Sequence, residues 1–197
     1  MFTRKGSFAL CAGTALALVT ALQAMAATVL PSGFAGKGVG AGTGSIKDDG
    51  TTLTIQGSGA DIPDDVADSF YFVSAPVTGD GNITARLTSA TGGAGPGEKV
   101  GTMIRETTDV DSAHALFNET NDNHGESFTY RDAKGNSGTH EPGYAPRQFP
   151  IWMRTQRVGT NLTGFYSWDG QLWIPTNTRA VTMGASANFG LAVASTD

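Results

Sequence analysis

Arg105, Asn118, Tyr130, Trp152, Arg154, Tyr166 and Trp168 have the side-chain types that a sugar-binding surface uses. An aromatic ring stacks on the apolar face of a pyranose, while guanidinium and amide groups take its hydroxyls in pairs. Trp152, Arg154 and Gln156 alternate along one segment, as do Tyr166 and Trp168 along another, so each set shares one face of an extended strand. Arg105 and Arg154 stand in otherwise apolar runs. An unpaired guanidinium is costly to bury, so each is expected at a wet face or against an acid. The same residues also fit a bland role. Trp152, Phe165 and Trp173 can fill a core, and Arg105 can brace Glu119 or Glu126 across neighbouring strands.

Catalytic and metal chemistry find less support. A retaining glycoside hydrolase needs two carboxyls about 5 Å apart in one cleft. No Glu-x-Asp-x-Glu strand is present, and Glu106, Glu119 and Glu126 are the acids left to supply such a pair from separate strands. Glu119 and Glu126 flank a loop and read as solvated loop charge, as do Asp109 and Asp111. No Gly-x-Ser-x-Gly elbow marks a nucleophile. For a cation, Asp109, Asp111, Asn121, Asp122 and Asn123 offer the oxygen ligands that calcium takes, although their spacing matches no EF-hand. A turn is the alternative for the Asn121–Asn123 run. The three histidines form no zinc pattern. No cofactor is expected, with calcium the one candidate ion.

The elements that must position these residues are strands. Ile83, Ala85 and Leu87 oppose Thr84, Arg86 and Thr88, and Val100, Thr102 and Ile104 alternate likewise, which predicts two antiparallel strands around a Gly-rich loop. Further strands are predicted at 52–56, 69–73, 112–119, 126–131, 150–157, 161–168, 171–174 and 189–194, with an Asp-Gly hairpin turn at 169–170. No segment keeps a helical period for three turns. Strands at this spacing predict a single sandwich domain from 46 to 197. Residues 27–45, rich in glycine, read as a flexible segment with Phe34 and Val39 tacked onto the core.

Residues 1–26 read as a signal peptide: Arg4 and Lys5, an apolar run from Phe8 to Leu22, then Ala24, Met25 and Ala26 before the expected cut. Its removal takes away Cys11, the single cysteine, and with it any disulfide or thiolate chemistry. It also moves the formal charge from -5 to -7. An acidic exported domain is a poor partner for nucleic acid or anionic lipid, and nothing after residue 26 is apolar enough to insert in a membrane. About 170 remaining residues suffice for a hydrophobic core.

Several runs carry a resemblance. GSGADI at 57–62, SFYFVSAPVTGDGNITARLTS at 69–89, VGTMIRE at 100–106, HALF at 114–117, WMRTQRVGTNLTGFYSWDGQLW at 152–173 and FGLAVAS at 189–195 resemble the bacterial DUF1349-like, concanavalin A-like lectin/glucanase sandwiches. The resemblance implies an all-β jelly-roll of two antiparallel sheets, a fold that often accompanies secreted glycosidases or cell-surface proteins. Such domains usually carry one more strand after the segment matched by 190–195, so the expectation is either a clipped end or an open sheet edge able to take a protein partner. The expectation is a secreted or periplasmic, non-catalytic module that recognises a glycan. The alternatives are a polysaccharide-acting glycoside hydrolase and a protein-interaction module.

Overall fold

The computed structural model describes residues 4–10, 30–62, 65–92, 98–120, 125–143 and 148–195, the first of these segments by its backbone alone. Among the described residues, fourteen strands form two seven-stranded antiparallel sheets. In chain order they are β1 (Arg4–Leu10), β2 (Ala35–Val39), β3 (Thr43–Asp48), β4 (Leu53–Ser58), β5 (Phe70–Thr78), β6 (Gly81–Thr91) and β7 (Lys99–Arg105). There follow β8 (His114–Thr120), β9 (Glu126–Arg131), β10 (Thr139–Pro142), β11 (Ile151–Val158), β12 (Asn161–Ser167), β13 (Ile174–Ala180) and β14 (Ser186–Ala194). One sheet runs β13-β12-β11-β6-β1-β4-β3, the other β10-β9-β8-β7-β14-β5-β2. The architecture is the sandwich that the strand spacing predicts, and the jelly-roll that the resemblance implies.

The first sheet has one dry face. Leu53 and Ile55 on β4, Ile83, Ala85 and Leu87 on β6, and Ile151 and Met153 on β11 point inward, while Trp152, Arg154 and Gln156 point out. Across the interior, Val73, Ile104, Phe117, Phe128, Phe189 and Leu191 of the second sheet complete the main core. Thr155 joins the two layers by donating to the Thr102 carbonyl at 2.8 Å. The second sheet is buried on both faces along β7 and β8. Its outer face carries a second cluster of Val39, Ile62, Phe70, Phe72, Met103 and Leu116. Ile62 comes from the connection between β4 and β5, which folds over that face.

Three elements differ from the sequence reading. β6 and β7 are not a hairpin: they belong to opposite sheets. The Gly-rich run contributes β2 and β3 rather than flexible chain, with Val39 fully buried and Phe34 packed on the core as expected. Its glycines permit close approach, since a Cβ on Gly36 would lie 2.0 Å from the Tyr71 hydroxyl and one on Gly44 2.4 Å from the Tyr71 ring. Third, β1 lies within the segment that reads as a leader, and its backbone pairs with β4 on one side and β6 on the other.

Candidate functional site

The outward face of β11 sets Trp152, Arg154 and Gln156 beside Arg86, Thr84 and Asn82 of β6 and beside Ser167, Phe165 and Thr163 of β12. Arg154 Nε donates to Thr84 Oγ1 at 2.9 Å, and the guanidinium carbon lies 3.7 Å from the centre of the Trp173 ring. A cation over an indole face is attractive, and it also fixes the ring's angle. Burial holds the Arg154 pKa below the ordinary guanidinium value. The group is a cation at any working pH all the same.

The turn from β12 to β13 closes this corner. The Asp169 carboxylate accepts from Gln171 N and Leu172 N, both at 2.8 Å, and from Ser167 Oγ at 2.9 Å. These bonds, the backbone ones foremost, keep its pKa below the usual carboxylate value. Gly170 adopts φ +74°, and a Cβ there would come 2.8 Å from the Trp152 ring, so the turn lies directly on that indole. All three tryptophans of the chain therefore meet at one turn. Trp168 is 41% exposed and Leu172 71%, and Tyr166 meets Trp168 edge-on with centroids 5.6 Å apart. The expected strand at 171–174 is this turn, and β13 begins only at Ile174.

Of the seven sugar-site candidates, the structure sets Trp152 and Arg154 on the outward face of β11, beside the turn that carries Trp168, and places the other four elsewhere; Tyr166 lies opposite the inward-facing Met153 and packs on the core. Arg105 is fully buried on the outer face of the second sheet, where Nη1 donates to Asp68 Oδ2 at 2.6 Å. Arg131 grips the same carboxylate, Nη1 to Oδ2 at 2.8 Å and Nη2 to Oδ1 at 2.9 Å. The acid that pairs Arg105 is thus Asp68, in place of the expected Glu119 or Glu126. Sequence reasoning missed this cluster because Asp68 lies in a polar connection, far in sequence from both arginines. His114 completes the group, its Nδ1 3.2 Å from Arg105 Nη1. Desolvation, aided by the two guanidinium charges, pushes its pKa down to about 3 against the pull of Asp68. Asn118 is also buried: its amide donates to Ser127 Oγ at 2.8 Å and accepts from Thr129 Oγ1. Tyr130 packs on the core, with the Arg179 guanidinium 5.7 Å from its ring centre.

The acids are also distributed. Glu106 accepts from Gly184 N at 2.7 Å at one end of β7. Glu119 faces Val100 near the other end, roughly 20 Å away at about 3.3 Å per residue. Glu119 and Glu126 are cross-strand neighbours and both fully buried, on the face that carries Phe117 and Phe128. They are not the solvated loop charges that the sequence suggested. Asp109 and Asp111 lie 2.6 and 3.8 Å from Lys134 Nζ, so an ammonium already sits where a cation would. Asn121, Asp122 and Asn123 fall outside the described residues. Among the described residues no group of three or more His, Cys, Asp or Glu is placed to hold a metal.

No family model matches the chain, and no curated protein does. Solved structures share its fold, among them the following two. A functionally unknown protein from Saccharomyces cerevisiae superposes with a TM-score of 0.56 at 14% identity, over 78% of this chain and 86% of its own. The carbohydrate-binding module CBM66 from Bacillus subtilis superposes with a TM-score of 0.51 at 14% identity, over 82% of this chain and 94% of its own. At that identity the likeness is one of fold alone, a β-sandwich.

Proposed function

We propose that the protein is a non-catalytic glycan-recognition module whose binding surface is the tryptophan corner at the β12–β13 turn. The observation that carries this reading is the gathering of Trp152, Trp168 and Trp173 at one turn, with Trp168 open to solvent. A sandwich with a complete core elsewhere has no packing need to leave an indole and Leu172 exposed together. Trp168 offers the stacking face, with Gln171 exposed beside it and Arg86 and Arg154 on the adjoining sheet face supplying donors for sugar hydroxyls. The shared fold with a carbohydrate-binding module supports the same reading. So does the leader-like N-terminus, which would take the module to the periplasm or beyond, where polysaccharides are met.

The test is retardation of the protein in gels containing defined polysaccharides. Retardation by at least one of them is expected, with Trp168→Ala weakening it at least tenfold while far-UV circular dichroism stays unchanged. If Trp168→Ala and Arg154→Ala both bind as the parent does, the site lies elsewhere. If no polysaccharide retards the parent, the glycan reading falls.

A further inference from the structure

β1 is an internal strand. Its backbone pairs with five residues of β4, from Arg4 opposite Gly57 to Phe8 opposite Leu53. On its other side it pairs with six residues of β6, from Lys5 opposite Thr91 to Leu10 opposite Ala85, with a register shift between Ser7 and Phe8. β4 and β6 do not touch each other through hydrogen bonds, and the sheet is continuous only because β1 lies between them. Two strand spacings, about 9.5 Å, separate them. Yet these same seven residues belong to the segment with the basic start, apolar run and small-residue end of a cleavable leader. Removing that segment would open a slot in the sheet. Two rows of backbone N–H and C=O groups would lose their ladder partners above Leu53, Ile55, Ala85 and Leu87, which are all fully buried with β1 in place.

We infer that the space between β4 and β6 is a strand-acceptor site: the leader strand holds it in the precursor, and an extended segment of another polypeptide takes it in the processed protein. The register states what that segment must look like. Positions opposite Leu53 and Leu87, and opposite Ala85, share the core-side face and call for large apolar residues, as Phe8 and Leu10 are. The position between Ile55 and Ala90 holds glycine and calls for a small residue. The alternate positions lie opposite Gln56, Thr54 and Arg86, on the outer face, and accept polar residues. The partner is therefore a peptide strand of the form small-polar-apolar-polar-apolar, running antiparallel to both neighbours. Main-chain hydrogen bonds supply the affinity and the alternating side chains the selectivity. A one-residue slip turns every apolar side chain to the wrong face, so register is strictly read.

The experiment uses the full chain with a protease site inserted between residues 11 and 26. After cutting, the amino-terminal fragment is expected to co-elute with the body, and a labelled RKGSFAL peptide in excess is expected to replace it. The thermal midpoint should then rise with peptide concentration. A peptide carrying Phe8→Asp should compete at least tenfold more weakly. The proposal is overturned if the fragment leaves with no change in the midpoint, since the slot then needs no strand. It is equally overturned if the body unfolds on cutting and added peptide does not restore it, or if the Phe8→Asp peptide competes as well as the parent. None of these outcomes depends on glycan binding, which is scored separately by gel retardation.

Discussion

Arg105 and Arg131 each hold a guanidinium away from water, and the carboxylate of Asp68 is shared between them. Arg131 reaches further, donating to the Asp65 carbonyl at 2.7 Å, the Asn136 carbonyl at 2.8 Å and the Ser112 carbonyl at 3.0 Å. One carboxylate thus anchors residues 65–68 to the outer face of the second sheet, the face that carries Met103 and Leu116. Removing one partner of a buried ion cluster leaves the others uncompensated, which costs about 3–5 kcal/mol. Asp68→Ala is expected to lower unfolding free energy by that amount in a urea titration. Asp109→Ala is the contrast, because its bond to Lys134 is half exposed on both sides and screened by solvent, so a much smaller effect is expected. Equal effects from the two substitutions would show that Asp68 does not carry the cluster.

At the scale of the element, the β12–β13 turn joins stability to the proposed site. Gly170 combines a left-handed φ with contact against Trp152, so an alanine there meets both a backbone penalty of about 1–2 kcal/mol and a ring that must move. Gly170→Ala is expected to lower the thermal midpoint by about 2–8 °C for a chain of this size and to weaken polysaccharide retardation with it. A variant that loses stability but binds as before would separate the turn from the site. The sequence made this turn legible, because Asp-Gly between alternating segments has a local physical cause. Strand β11 was legible for the same reason: its period put Trp152, Arg154 and Gln156 on one face, and the structure has them there. Long-range pairing was not legible. Nothing local to β6 and β7 says that the two strands lie in different sheets, and nothing near Arg105 points to Asp68, 37 residues earlier. Glycine misled in the 27–45 run, where it serves close packing over Tyr71 although composition alone reads as flexibility. Trp173 reads in the sequence only as a ring able to fill a core, since no local signal says that Arg154 covers it.

For the whole molecule, the buried cluster sets how the sandwich responds to acid. His114 is fully buried beside two guanidinium groups and one carboxylate, and its pKa falls to about 3 from an ordinary 6.5, chiefly through desolvation. A histidine with a depressed native pKa binds its proton in the unfolded chain first. Between pH 6.5 and about 3 the unfolded state therefore holds more protons at this site, and stability falls as pH falls through that window. Above pH 6.5 the site contributes no slope, and below about 3 both states are protonated and the loss is complete. The limiting slope is about 1.4 kcal/mol per pH unit. Asp49, Asp109 and Asp169, whose pKa values are lowered by their hydrogen bonds, act in the same direction only below their ordinary value of 3.8. The interval from pH 6.5 to 5 therefore isolates the histidine from these three. Urea midpoints are expected to fall across it in the parent chain, and His114→Gln, which keeps a neutral polar side chain in place, is expected to remove most of that fall. Parallel pH profiles for the two proteins would mean that acid sensitivity arises outside the Asp68 cluster.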